Sequence, residues 1–234
     1  MEPRVILVVA DPHDVGGRAT ARAAAALPPG GAGEAIRVVL VTGDDVAAAR
    51  WSHHLDRDGR ASTTLTLPGL PRPLSDEDLA AVCFRAQQWS VPTALRSANE
   101  ADIAYAYSEL SALLVSWLHS LGARVLNRVE GNTPCGPGWS PDRWRQAAAQ
   151  AGLPIAVRGE VGVRSVLVAG DHVLEAASGS EALACQVLAR QSACRLLDVV
   201  LTADGGVSEV RTVPDLASPT RAVAAAHLLQ EVAA

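Results

Sequence analysis

Apolar positions are arranged along this chain in continuous runs, in alternation and at helical spacing, and each pattern predicts a different kind of element. Val5–Ala10 and Ile36–Thr42 are short, unbroken apolar runs, the pattern of strands buried on both faces. Between them, Asp11-Pro12-His13-Asp14 and Gly16-Gly17 make a loop, and Arg18–Leu27 is an Ala-rich helix closed by Pro28–Gly31. A β-loop-α-β opening predicts an open, mostly parallel sheet. Trp51–Leu55 and Ser62–Leu67 flank Asp56–Gly59 as a hairpin. Ser75 opens a short turn through Asp78, Val82–Phe84 reads as a brief strand, and 85–97 is irregular.

Helical spacing of Ile103, Tyr107, Leu110, Leu114, Trp117 and Leu121 predicts a long helix from Glu100 to Leu121, capped by Asn99 and ended by Gly122. That stripe is read as core or as a dimer face. Ala123–Asn127 is a strand. Ser140-Pro141 opens a helix over Pro141–Ala151, with serine as cap and proline in the first turn. The last third is the most regular. Val163–Ala169 and His172–Ala176 form one hairpin, and Leu196–Thr202 and Val207–Thr212 form another. Helices Ser180–Arg190 and Pro219–Val232 follow them in turn. Hairpin, helix, hairpin, helix predicts an antiparallel α+β layer with helices on one face. The expected division is residues 1–139 as an α/β unit and 140–234 as an α+β unit.

Composition narrows the chemistry. All 20 basic side chains are arginine, and the chain has no lysine. A P-loop, a Schiff-base enzyme and a protein kinase each need a lysine amine, so none operates here in its usual form. Net charge is −5 and no basic run occurs, which argues against nucleic acid as a partner. No apolar stretch approaches the roughly 20 residues that span a bilayer. The four cysteines lack CxxC spacing, as expected of free thiols in a cytoplasmic protein.

Candidate chemistry lies first at the carboxyl end of the opening strand, where Asp11, His13 and Asp14 sit at the edge at which open α/β sheets bind ligands. The alternative there is a polar loop with a capping aspartate. Gly16-Gly17 makes no dinucleotide fingerprint, and His53-His54 point to opposite faces of a strand. The loop Asn127–Trp139 holds Asn127, Arg128, Asn132, Cys135 and Trp139 between a strand end and a helix start. A structural loop and a binding loop for a small anion or a peptide segment both fit it.

The closing hairpin, with Leu196–Val200 and Ser208–Pro214, resembles the C-terminal end of ATP-grasp ligases, most nearly the branch that joins amino acids to peptide carboxylates. Ala123–Arg128, Trp144–Ile155 and Val163–Asp171 resemble further segments of that family in the same order. The resemblance implies a metal-binding Asp198 and Glu209, with Arg211 standing where the family has asparagine, and Arg164 near the phosphates. It also exposes a gap. Only Ala156–Gly162 separates Ile155 from Val163, where the family has a Gly-rich loop and two lysines on ATP. Arg211 is expected to close the site by pairing with a carboxylate, Asp198 in particular. The expectation is a truncated, catalytically degenerate relative without cofactor, ATP and Mg²⁺ being set aside. It would act as a homodimeric binding or accessory component, with a partner enzyme or a peptide. Two other readings stay open. One is an enzyme whose cleft of Arg164, Asp198, Glu209 and Arg211 takes a small carboxylate or phosphate. The other is half of an ATP-dependent ligase that a partner chain completes.

Overall fold

The computed structural model describes residues 3–28, 35–87, 89, 97–131 and 133–234. Asn132, most of the turn at Pro28–Gly31 and much of the stretch 85–97 lie outside the described residues.

The first layer is a parallel sheet. β1 (Arg4–Ala10) is followed by α1 (Val15–Ala26), β2 (Ile36–Thr42) and the short α2 (Gly43–Ala47). β3 (Arg50–Leu55), β4 (Ala61–Thr66) and β5 (Leu74–Ser75) make a small antiparallel sheet, and β6 (Leu79–Phe84), α3 (Glu100–Leu121) and β7 (Val125–Leu126) complete the layer. The strand order β2-β1-β6-β7 is parallel throughout. The apolar run of β1 is explained by coverage on both sides. Val5, Leu7 and Val9 meet α3 and the small sheet, whereas Ile6 and Val8 meet α1 and the C-terminal helix.

Two local readings are corrected. β6 spans Leu79–Phe84 with all six residues buried, a central strand longer than its Val82–Phe84 core. α1 starts at Val15, because Asp14 accepts from Gly17 N at 2.8 Å and caps the helix there. α2 had no apolar signature and owes its start to a capping box. Asp45 N donates to Thr42 Oγ1 at 3.1 Å, and Thr42 N donates to Asp45 Oδ2 at 2.8 Å. Thr42→Ala is expected to cost about 1 kcal/mol, read from the midpoint of urea unfolding. His53 and His54 do face opposite ways. His53 lies between Thr63 and Ser116, with each ring nitrogen 2.9 Å from a hydroxyl, and so ties the small sheet to α3.

The second layer is antiparallel. α4 (Pro141–Gln150) leads to β8 (Arg164–Ala169), β9 (His172–Leu174), α5 (Gly179–Gln191), β10 (Leu196–Leu201), β11 (Val207–Arg211) and α6 (Pro219–Ala233). The strand order is β11-β10-β8-β9, with β10 antiparallel to both β8 and β11. α4 and α5 cover one face through Trp144, Ala148, Cys185 and Leu188, packed on Val166, Val168, Leu197 and Val199. The other face meets α6. Leu167, Ala169 and Leu196 join Ala225, Leu228 and Leu229 of α6, and the same cluster takes in Ala80, Cys83 and Leu126 of the parallel sheet. α6 is therefore wedged between the two sheets.

Candidate functional site

Three groups of candidate residues surround the junction of the two layers. At the carboxyl edge of β1, Asp14 is gripped by Arg85, with Nε at 2.8 Å and Nη2 at 3.2 Å. Arg85 is 5% exposed, and its Nη2 also donates to Pro214 O at 3.1 Å. Burial works against the Asp14 charge. Arg85 and the amides of the α1 start outweigh it, so this carboxyl titrates below its ordinary value. Asp11 accepts from Gln87 N at 3.2 Å, and His13 is exposed. The adjoining glycines serve packing. A Cβ on Gly16 would lie 2.9 Å from the Leu216 backbone, and one on Gly17 would lie 2.7 Å from Ala10 Cβ.

Asn127 is buried and fully used. Its Nδ2 donates to Leu196 O at 2.6 Å and to Thr212 O at 3.2 Å, and its Oδ1 accepts from Leu196 N at 2.7 Å. It latches the end of β7 to the antiparallel sheet. Arg128, next in the chain, is exposed. Cys135 lies within the loop and donates to Ala86 O at 3.5 Å. Burial pushes its thiol up to about 12, and Cys83, Cys185 and Cys194 are raised for the same reason. Since the thiolate is the nucleophile, native protein at pH 7.5 should react with iodoacetamide at least tenfold more slowly than protein unfolded in urea. Mass spectrometry of time points checks this.

The hairpin carboxylates are arranged differently from the expectation. Asp198 stands opposite Arg211 in the β10–β11 register and Val200 opposite Glu209, so Asp198, Glu209 and Arg211 share a face. Yet Arg211 pairs with Glu209 at 2.5 Å, both being exposed. Asp198 is wholly buried and pairs with Arg221 of α6 at 3.1 Å. The sequence reading missed Arg221, although helical spacing puts it on the stripe of Ala225, Leu228 and Leu229. Its guanidinium also binds Ser165 Oγ at 2.7 Å, Asp215 O at 3.0 Å and the carboxylate of Glu175. Burial raises the Asp198 carboxyl above its ordinary range, more than Arg221 and Ser165 lower it. Among the described residues its buried Oδ2 has no hydrogen-bond partner. Arg164 points the opposite way, towards α5, where it grips Glu181 bidentately at 2.8 and 2.5 Å. The structure thus brings Asp198, Glu209 and Arg211 to one face and leaves Arg164 on the other. Among the described residues no group of three His, Cys, Asp or Glu side chains is placed to hold a metal ion.

An aromatic cleft opens between the layers. A cavity of about 330 Å³ is lined by Trp89, Cys135, Trp139, Trp144, Val210 and Thr212, among others. Trp139 tilts against Trp144 with ring centroids 4.7 Å apart, and the Arg143 guanidinium lies 4.0 Å from the Trp139 ring centre.

No protein-family model and no curated protein matches the chain. Solved structures do. An RiPP-associated ATP-grasp ligase from Chryseobacterium gregarium, in complex with ADP and with a leader and core peptide, superposes with a TM-score of 0.70 at 12% identity, covering 97% of each chain. This is an ATP-grasp-like fold. The macrocyclase MdnC from Microcystis aeruginosa MRC, bound with precursor peptide MdnA, superposes with a TM-score of 0.69 at 10% identity. That match covers 96% of this chain and 99% of MdnC. The resemblance read from the closing hairpin therefore holds at the level of fold. One expectation falls. ATP and Mg²⁺ had been set aside for want of lysines, but a fold shared over almost the whole chain with a ligase solved on ADP overturns that exclusion. Arginine forks and backbone amides also bind phosphate, so missing lysines alone do not rule a nucleotide out. Among the described residues no helix of the ATP-grasp-like fold is long and apolar enough to cross a membrane.

Proposed function

We propose that this protein serves peptide modification as a binding or accessory component, holding a peptide segment without completing a ligation by itself. The observation that carries this reading is the state of Asp198. Its carboxylate is sealed in the core with Arg221 on one oxygen. Glu209, the other carboxylate implied as a metal ligand, is paired with Arg211. ATP-grasp chemistry depends on metal ions bridging carboxylates and phosphates, and on charge neutralisation during phosphoryl transfer. Carboxylates already neutralised by arginine are poor partners for that step. The two similar folds were solved with peptides bound, which supports a peptide as the ligand. The aromatic cleft offers a place for one.

The test pairs the purified chain with any short precursor-like peptide found encoded beside its gene, in the presence of ATP and Mg²⁺. The expected result is peptide binding by calorimetry, with no change of peptide mass. A peptide mass lowered by loss of water, produced by this chain alone, would overturn the accessory reading. Nucleotide binding measured alongside is compatible with it.

A second reading has its own observation. Val157, Val161 and Val163, on the link between α4 and β8, are 70%, 79% and 69% exposed. Three valines left in water along one short segment favour a partner chain that covers them. Co-purification with a lysine-bearing ATP-grasp protein, and ligation only in the mixture, would support completion by a partner.

A further inference from the structure

The geometry points to the outer edge of β11 as the seat of a bound peptide, which adds to the sheet as an extended strand with an uncharged, apolar or aromatic side chain on either side of Val210. This rests on the peptide-binding reading above and assigns it a place and a mode.

β11 ends its sheet, so one side of the strand carries backbone groups that β10 does not take. At its start that side is occupied. Val207 N donates to Pro154 O at 2.8 Å, and Val207 O accepts from Ala156 N at 3.1 Å. Beyond its end, Thr212 O accepts from Asn127. Among the described residues no hydrogen bond reaches the outer side of the Ser208–Arg211 backbone. The chain therefore clips both ends of the edge and leaves the middle open.

The open stretch is lined with cavities. Besides the cleft of about 330 Å³, a second cavity of about 250 Å³ is bounded by the four successive residues Val207, Ser208, Glu209 and Val210. Neighbouring side chains of a strand point to opposite faces. A cavity that touches four in a row therefore runs along the strand's edge. Trp139, Trp144 and Val210 line both cavities, so the two adjoin along a common aromatic wall.

The wall carries its own signal. Among the described residues the buried indole Nε1 atoms of Trp89 and Trp139 have no acceptor. A buried donor without a partner is rare in native structures. The rim cations have partners, Arg211 with Glu209, Arg143 with Glu130 at 3.9 Å and Arg145 with the Ala156 carbonyl at 2.8 Å, which favours an uncharged occupant. Strand addition uses such features: main-chain hydrogen bonds give affinity, and pockets for alternate side chains give specificity.

The test uses the whole chain and a capped, uncharged hexapeptide, acetyl-Thr-Phe-Thr-Leu-Thr-Val-amide. Binding is followed by tryptophan fluorescence. Two further hexapeptides carry backbone N-methyl groups on the odd or on the even residues. Strand addition predicts that one methylated set binds at least tenfold more weakly while the other binds like the parent. It also predicts that the parent slows amide hydrogen exchange within residues 208–211 at least tenfold. Binding with equal tolerance of both sets, or with protection elsewhere, would overturn the edge assignment and leave peptide binding standing. No binding of the parent hexapeptide would overturn the edge assignment alone, and the precursor-peptide calorimetry above decides the peptide-binding reading. Ligation by the chain alone would sink only the accessory reading.

Discussion

Arg221→Ala is expected to lower the stability of the folded chain by about 3–5 kcal/mol, the usual effect of removing one partner of a buried ion pair. Arg221 is 6% exposed and Asp198 wholly buried. The cost arises less from the lost attraction than from what stays behind. Asp198 would keep its burial with no cation beside it, and Ser165 O and Asp215 O would lose the donors that Arg221 supplies. Urea unfolding should show the loss as a lower midpoint with an unchanged slope. A double variant, Arg221→Met with Asp198→Leu, removes both charges and should recover most of the stability. Loss of less than 1 kcal/mol in the single variant would mean that the pair is open to water. The pH dependence has a definite sign. Burial raises the folded Asp198 carboxyl, so the folded state holds this proton more tightly than the unfolded chain does. Its contribution is therefore most favourable at low pH and declines as pH rises from its ordinary value through the raised one. Asp14 and Glu181 are lowered, and the stability they contribute is lost in the opposite direction, as pH falls. Asp198→Asn should remove the first slope and leave the second.

Asn127→Ala is expected to cost about 2–4 kcal/mol, because two or three buried backbone groups lose their only side-chain partner at roughly 1–3 kcal/mol each. Both polar groups of Leu196 depend on this amide. The distinction matters for function. Had Asn127 been a ligand contact at a cleft rim, its removal would weaken binding and leave the melting temperature alone. The structure makes it a latch between layers, so the melting temperature should fall, and β10 amides should exchange faster than those of β1. Asn127→Asp should also be costly, since an ionised carboxylate cannot donate to Leu196 O.

The legible parts of this chain were those governed by local periodicity. The stripe from Ile103 to Leu121 predicts α3 with both ends in place, because caps and spacing are properties of neighbouring residues. Both late hairpins, Gly170-Asp171 and Ala203–Gly206 between apolar strands, were legible for the same reason. α2 escaped because a five-residue helix has no period to read, only a cap. β6 was read too short because the apolar run Leu79–Phe84 begins directly after a polar turn.

The candidate site was legible in residue identity and illegible in pairing. Register, a local property of the hairpin, placed Asp198, Glu209 and Arg211 on one face. Which cation Asp198 meets depends on a helix more than twenty residues away, and α6 brought Arg221 where Arg211 had been expected. Arg164 was expected in one cleft with Asp198, but the β8–β10 register turns it to the other face, where α5 docks and Glu181 takes it. The sequence by itself determined most of the elements, their order and the absence of lysine side chains, since these follow from composition and short-range spacing. Only the tertiary structure decided that α6 would wedge between two sheets, that Asn127 would become a latch and that three tryptophans would wall one edge of β11. Each is a contact between segments far apart in the chain, set by which buried surfaces fit together, and no local pattern encodes that fit.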